Sequence, residues 1–196
     1  MERSAADRRA SGDVSEAAAA TYDRGEQGCS ALRSGSAKEL TEPRFEPEAV
    51  IAALNEGSIR YVVVGGLASG AHGVVRATRH VDLVPDPEAE NLRRLAGILT
   101  ALGARHPIQD DLTADNLAAP ASIKLETRHS EVHVLNRMPG TPLFDELEAQ
   151  EFAVEVAPGV FAPVCSLAHL RQMKRASDRP RDQVDLQELE ELHGAE

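Results

Sequence analysis

Residues 61–84 read YVVVGGLASGAHGVVRATRHVDLV, and this stretch decides the fold. The apolar run Tyr61-Val62-Val63-Val64 breaks off at Gly65-Gly66, as a buried strand does on meeting a tight turn. Residues 67–72 fit a short helix closed by Gly73, and His80-Val81-Asp82-Leu83-Val84 reads as a second strand. Side chains two apart on a strand share a face, so His80 and Asp82 are expected to project together. Gly65 and Gly66 lack a Cβ, which lets backbone N–H groups approach a phosphate closely where a helix begins. The stretch therefore describes a phosphate turn beside strand-borne ligands for a divalent cation.

Outward from it, the chain alternates strands with helices. Upstream, Pro47, Val50, Ile51 and Leu54 have helical spacing and Gly57 supplies a stop. Downstream, Asp86-Pro87 is expected to cap a helix carrying Leu92, Leu95, Ile98, Leu99 and Leu102, ended by Gly103. After an irregular stretch, residues 122–126 and 131–135 read as strands, and a Pro/Gly-rich loop over 138–142 leads to a short helix near Glu146. Residues 152–156 and 160–164 form a hairpin across Pro158-Gly159. Ser166 caps a helix with Leu167, Leu170 and Met173, and a last helix runs from about Arg181 to Gly194. This order implies an α/β or α+β domain over 46–196.

The run from Gly65 to Val84 resembles the opening motif of the nucleotidyltransferase superfamily, in which a Gly-Gly or Gly-Ser turn precedes an Asp-x-Asp strand. It looks most like the small bacterial branch that includes the AbiEii-like toxins of toxin–antitoxin systems. Glu131-Val132-His133-Val134-Leu135 sits where that group carries a third acidic ligand, and residues 170–186, with Lys174, Asp182 and Asp185, resemble its closing motif. The resemblance implies a mixed β-sheet flanked by helices and transfer of a nucleoside monophosphate from an NTP to an RNA end or a protein hydroxyl. It also implies Mg²⁺ or Mn²⁺ as cofactor, and as partners an NTP, a tRNA or protein acceptor and a cognate antitoxin. By position, Asp82 matches the second metal-binding carboxylate, while His80 stands at the first and His133 at the third. Gly65, Gly66 and Arg76 would hold phosphate, Lys174 would steady the triphosphate, and Asp182 would serve as general base for the acceptor hydroxyl.

The two histidines are the departure. Replacing two carboxylates by imidazoles changes the formal charge of the ligand set by about two units, to roughly −1, and Mg²⁺ prefers oxygen ligands. A His-Asp-His set suits Mn²⁺, Fe²⁺ or Zn²⁺ better. Three readings stay open: a fold kept as a binding or regulatory module without catalysis, catalysis with another metal or with Glu131 as substitute ligand, or ordinary polar histidines.

Other residues have plainer readings beside these. Lys174 with Arg171, Arg175, Arg179 and Arg181 forms the one dense basic cluster, read either as a phosphate contact or as a solvated helix face. Asp182 and Asp185 could simply favour the first turn of the last helix through its dipole. His72 is expected to hydrogen-bond a helix end, His129 to be solvated in a turn, and Glu88, Arg93 and Arg94 to line an exposed helix face.

Composition narrows the classes further. Hydrophobic residues make up 42% and aromatics 3%, without Trp, so the core must be aliphatic. Of the 32 acidic and 21 basic residues, eight and seven lie in 1–45, so nearly all of the net −11 falls in 46–196. So acidic a domain is a poor general nucleic-acid binder, and no DNA partner is expected. No apolar run is long enough to span a bilayer, and Cys29 and Cys165 form no ligand spacing, which points to a cytoplasmic protein. Residues 1–45 lack periodicity and are expected to form a flexible tail or a partner-binding segment.

Overall fold

The computed structural model describes residues 45–105 and 112–195, all within the unit Leu40–Glu196. Residues 1–44, with Cys29 and nearly all of the expected tail, lie outside the described part. Six strands, β1 (Tyr61–Val64), β2 (His80–Pro85), β3 (Ala121–Glu126), β4 (Glu131–Asn136), β5 (Phe152–Ala157) and β6 (Val160–Val164), form one sheet in the order β3-β4-β2-β1-β6-β5. Three antiparallel pairs, β1/β2, β3/β4 and β5/β6, are joined by two parallel contacts, β2/β4 and β1/β6. The expected mixed sheet is present.

The sheet position of each strand explains its sequence. β1 and β2 lie centrally and are buried nearly throughout; β1 reads as a continuous apolar run, while in β2 the apolar run is interrupted by His80 and Asp82. β4 has one neighbour on each side but alternates, with Val132 and Val134 fully buried in the core and Glu131, His133 and Leu135 half-covered on the other face. In the parallel β2/β4 register, Val81 and Leu83 lie beside Val132 and Val134, while His80 and Asp82 lie beside Glu131 and His133. One face is thus given to the hydrophobic core and the opposite face to the polar site.

Seven helices complete the described part: α1 (Pro47–Glu56), α2 (Gly65–Ala71), α3 (Ala89–Ala101), α4 (Ala114–Ala118), α5 (Phe144–Glu148), α6 (Leu167–Ser177) and α7 (Pro180–His193). Val50, Ile51 and Leu54 of α1, Leu92, Leu95 and Leu99 of α3, Leu170 of α6 and Leu189 of α7 all enter the core. Each fully buried leucine side chain is worth about 2 kcal/mol in removal of apolar area from water. Ser166 caps α6 as expected, its hydroxyl accepting the N–H of His169 at 3.3 Å.

The chain departs from the sequence reading in several places. α2 begins at Gly65 itself, so the glycines form the first turn of the helix instead of preceding it. Helix α3 begins three residues after Asp86. Asp86 precedes a proline, whose ring disfavours helical backbone there. Its carboxylate pairs with Arg60 and accepts the N–H of Glu88 at 2.9 Å, closing a turn in place of a cap. Helix α4, capped by Thr113, lies in the stretch read as irregular, of which 106–111 are outside the described residues. His129 is not merely solvated, because its Nδ1 lies 2.9 Å from Glu46 Oε2. His72 bonds the carbonyl of Cys165 at 2.9 Å through Nε2, tying α2 to the end of β6 where a helix-end contact was expected.

Cys165 is fully buried, and burial pushes its thiol up to about 12. The thiolate is the reactive form, so native Cys165 is expected to resist maleimide at about pH 8 and to react only once the chain is unfolded. Above about pH 9 the unfolded thiol ionises while the buried one does not, so this group favours unfolding there. Peptide mapping by mass spectrometry, with and without denaturant, checks this; rapid labelling of Cys165 in the native protein would contradict it.

Candidate functional site

Two parallel strands bring the candidate ligands together. Because Asp82 lies beside His133 and His80 beside Glu131 in the β2/β4 ladder, the four side chains share the face left free by the core. The imidazoles hold the Asp82 carboxylate from two sides: His80 Nε2 lies 3.2 Å from Oδ2 and His133 Nδ1 lies 2.9 Å from Oδ1. The two rings stack, with centroids 4.2 Å apart and planes inclined by 18°. Ligand atoms of His80, Asp82 and His133 all lie within 4.8 Å of one another, close enough for one metal ion to reach all three.

The second nitrogen of His133, Nε2, lies 2.7 Å from Glu131 Oε1. An ionised carboxylate can only accept, so both ring nitrogens of His133 donate when no metal is bound. Burial alone would lower the His133 pKa, but its hydrogen bonds and charge contacts with Asp82 and Glu131 outweigh that and raise it. Burial would likewise raise the Asp82 carboxyl, yet the bonds and charges of His133 and His80 hold it down at about 2. Asp82 is therefore ionised throughout the physiological range.

The two glycines make room for specific side chains. Gly65 adopts φ +64°, and a Cβ there would lie 2.1 Å from Asp82 Oδ2. A Cβ on Gly66 would meet the Arg76 guanidinium at 2.7 Å and the Thr78 hydroxyl at 2.8 Å. The Gly66 N–H points to Asp82 Oδ2 at 3.4 Å, so the start of α2 adjoins the carboxylate that the histidines hold.

Beyond this lies a network of buried charges. Lys174, almost fully buried, donates to Asp185 and, at 3.2 Å, to Asp182 Oδ1. Arg76 also donates to Asp185, and the Ser69 hydroxyl lies 3.4 Å from the same oxygen. Lys174 is thus no solvated helix residue, and Asp185 holds two cations where a dipole contact was the plainer expectation. Asp182 does lie in the first turn of α7. Arg171 leaves the expected basic cluster altogether: its guanidinium binds the carbonyls of Leu189 at 3.0 Å and Gly194 at 2.6 Å, satisfying the C-terminal end of α7.

A cleft of about 350 Å³ joins these groups. His80, Asp82 and His133 line it with Gly65 and Gly66, together with Arg76, Lys124, Lys174, Arg179 and Arg181. Only two acidic residues, Asp82 and Asp182, line it among the described residues. A protein of net charge −11 thus surrounds a basic hollow. Arg181 is anchored to the Ala77 carbonyl at 2.7 Å, and the buried Nε of Arg76 has no hydrogen-bond partner among the described residues. Lys124 escaped the sequence reading. Its alternation in β3 was visible, but only the register, which sets it beside His133, brings it to the cleft.

Structural similarity defines the class of fold. The chain has a nucleotidyltransferase-like fold, similar to that of lincosamide antibiotic adenylyltransferase LnuA in its lincomycin-bound form (TM-score 0.55, 13% identity, covering 76% of this chain and 99% of that one). It is also similar to an antigenic nucleotidyltransferase-like protein from Paracoccidioides brasiliensis (TM-score 0.50, 18% identity, covering 74% and 72%). No protein-family model and no curated protein sequence matches the chain.

Proposed function

We propose that this protein is a metal-dependent nucleotidyltransferase of toxin–antitoxin type that binds an NTP in the basic cleft and transfers its NMP to a hydroxyl. The observation that carries the reading is the junction, in one hollow, of the His80-Asp82-His133 set with five cationic side chains in an otherwise acidic protein. The donor set fits a borderline divalent ion such as Mn²⁺, Fe²⁺ or Zn²⁺ better than Mg²⁺, because two of its three atoms are imidazole nitrogens. Such an ion would supply charge neutralisation at the phosphate oxygens.

The residues of the chain divide the remaining work. Lys174 and Arg76, fixed by Asp185, and Lys124 on β3 present positive charge to the triphosphate. Asp182, which lines the cleft, accepts the proton of the attacking hydroxyl. The acceptor oxygen bonds to the α-phosphorus as the bond to the β-phosphate oxygen breaks, and pyrophosphate leaves. As acceptor we favour an RNA end, such as that of a tRNA, or a protein hydroxyl. The reaction would draw on the cytoplasmic NTP pool and be restrained by a cognate antitoxin.

Incubating the protein with α-labelled NTPs, Mn²⁺, Zn²⁺ or Mg²⁺ and cell extract tests this. Label in RNA, protein or a small molecule identifies the acceptor class; no transfer with any metal sinks the enzymatic reading.

One observation favours a second reading, a nucleotide-binding module without turnover. Asp82 is already paired by two imidazoles and Lys174 by two aspartates, so both key groups are satisfied without substrate. Restoring carboxylates with His80→Asp and His133→Asp separates the readings. Three carboxylates beside Glu131 repel one another, so the metal-free double variant is expected to melt lower than wild type, and Mg²⁺ to restore it. Gain of Mg²⁺-dependent transfer over an inactive parent would mark a site that has lost its chemistry. An active parent that loses its transition-metal dependence would mark a working His-Asp-His centre.

A further inference from the structure

We propose that Glu131 is a positioning residue that selects the ligand nitrogen of His133, holding Nε2–H so that Nδ1 faces the metal beside Asp82 and His80. The inference rests on the metal reading above and assigns a role within it.

An imidazole offers a metal only one of its two nitrogens, and what the other nitrogen bonds decides which one. The ring of His133 stands between two carboxylates, with Nδ1 2.9 Å from Asp82 Oδ1 and Nε2 2.7 Å from Glu131 Oε1. His80 also reaches Asp82, through Nε2 at 3.2 Å, so the atoms that converge are His80 Nε2, His133 Nδ1 and the Asp82 carboxylate. Glu131 touches His133 on its other nitrogen, so it acts through the histidine and is not a further member of the converging set.

The backbone fixes this arrangement. Glu131 and His133 are two apart on β4 and share a face, so their side chains are neighbours by geometry. The Glu131 side chain is 40% exposed and His133 only 12%, so the carboxylate stays hydrated at the rim while the ring is held within. A carboxylate behind a ligating histidine orients the ring and makes it more basic, which strengthens binding of Zn²⁺, Co²⁺ or Mn²⁺. Glu131 thereby offsets some of the attraction lost when imidazoles stand in place of carboxylates.

The test uses full-length wild type, Glu131→Gln and Glu131→Ala, with Zn²⁺ affinity measured by competition against a chromophoric chelator and Co²⁺ bound for visible absorption. Wild type should bind Zn²⁺, Glu131→Ala about 10–100-fold more weakly, and Glu131→Gln between them, since glutamine keeps an acceptor oxygen but not the charge. Co²⁺ band positions should stay the same in all three, because the ligand atoms do not change. Imidazole nitrogen NMR of the Zn²⁺ form should show His133 Nε2 protonated in wild type. Equal affinities, a Co²⁺ spectrum altered in Glu131→Ala as for a lost direct ligand, or His133 bound through Nε2 would each overturn the assignment while leaving the metal reading intact. Wild type that takes up neither Zn²⁺ nor Co²⁺ would remove both together.

Discussion

For the proposed reaction, Asp82→Ala is expected to abolish nucleotidyl transfer, lowering it by at least about 10³-fold, since metal stabilisation of the reacting phosphate would be worth several kcal/mol. Asp82 is the one anionic member of the converging set, and it touches both of the others. Removing it takes the set from a formal −1 to neutral and leaves two stacked imidazoles with no carboxylate between them. Zn²⁺ or Mn²⁺ affinity should fall in parallel with transfer. A carboxyl held at about 2, below the usual aspartate range, also contributes about 2 kcal/mol to the metal-free fold. That contribution is present above about pH 4 and is lost as the pH falls towards 2, so the variant should melt lower than wild type at neutral pH but converge with it in acid. Label incorporation, chelator competition and thermal melting are the measurements. Transfer within tenfold of wild type in a folded, metal-poor variant would show that Asp82 does not hold the reacting centre.

Gly65→Ala should be the most destabilising single change at the site. The left-handed backbone at φ +64° costs an alanine about 1–2 kcal/mol. The added Cβ would also lie 2.1 Å from Asp82 Oδ2, 2.7 Å from Cγ and 3.0 Å from Cβ, so the whole side chain, not only its tip, must move. Overpacking of that kind costs about 1–3 kcal/mol more, and the sum corresponds to a drop in Tm of roughly 5–15 °C for a protein of this size. Gly66→Ala is the informative comparison. Its Cβ meets the end of Arg76 and the Thr78 side chain, and the residue is not in the left-handed region, so the loss should be smaller. Differential scanning calorimetry of both variants decides the matter; equal melting temperatures, or a larger loss at Gly66, would show that the Gly65-Asp82 contact is not what demands glycine.

The buried charges carry a further lesson about the cleft. Arg76 lies about a hundred residues before Lys174, Asp182 and Asp185, yet the four form one hydrogen-bonded group. Counting basic residues along residues 171–181 suggested a single cationic patch. Arg171 instead closes the end of α7, and Lys124, far away in sequence, lines the cleft. Arg171 and Lys174 are three apart on α6 and share a face, so the helical period does not divide them; packing against α7 does, because its last carbonyls draw the Arg171 guanidinium away from the hollow.

Local chemistry alone was enough to specify most elements of this protein, but not helix α4 or the starts of α2 and α3. Apolar runs ending in glycine, a proline at the start of α1, Ser166 at the cap of α6 and alternation in β4 are each enforced by short-range sterics and hydrogen bonding, so they are legible in the chain. The same period-two rule placed His80 with Asp82 and Glu131 with His133. Tertiary structure decided what the rule could not reach: that β4 pairs parallel with β2 in the register that opposes Asp82 to His133, that Glu131 bonds His133, and that Asp185 gathers Arg76 and Lys174. Strand register and ion pairing depend on which surfaces the whole fold buries together, and that is a property of the packed core rather than of any one segment.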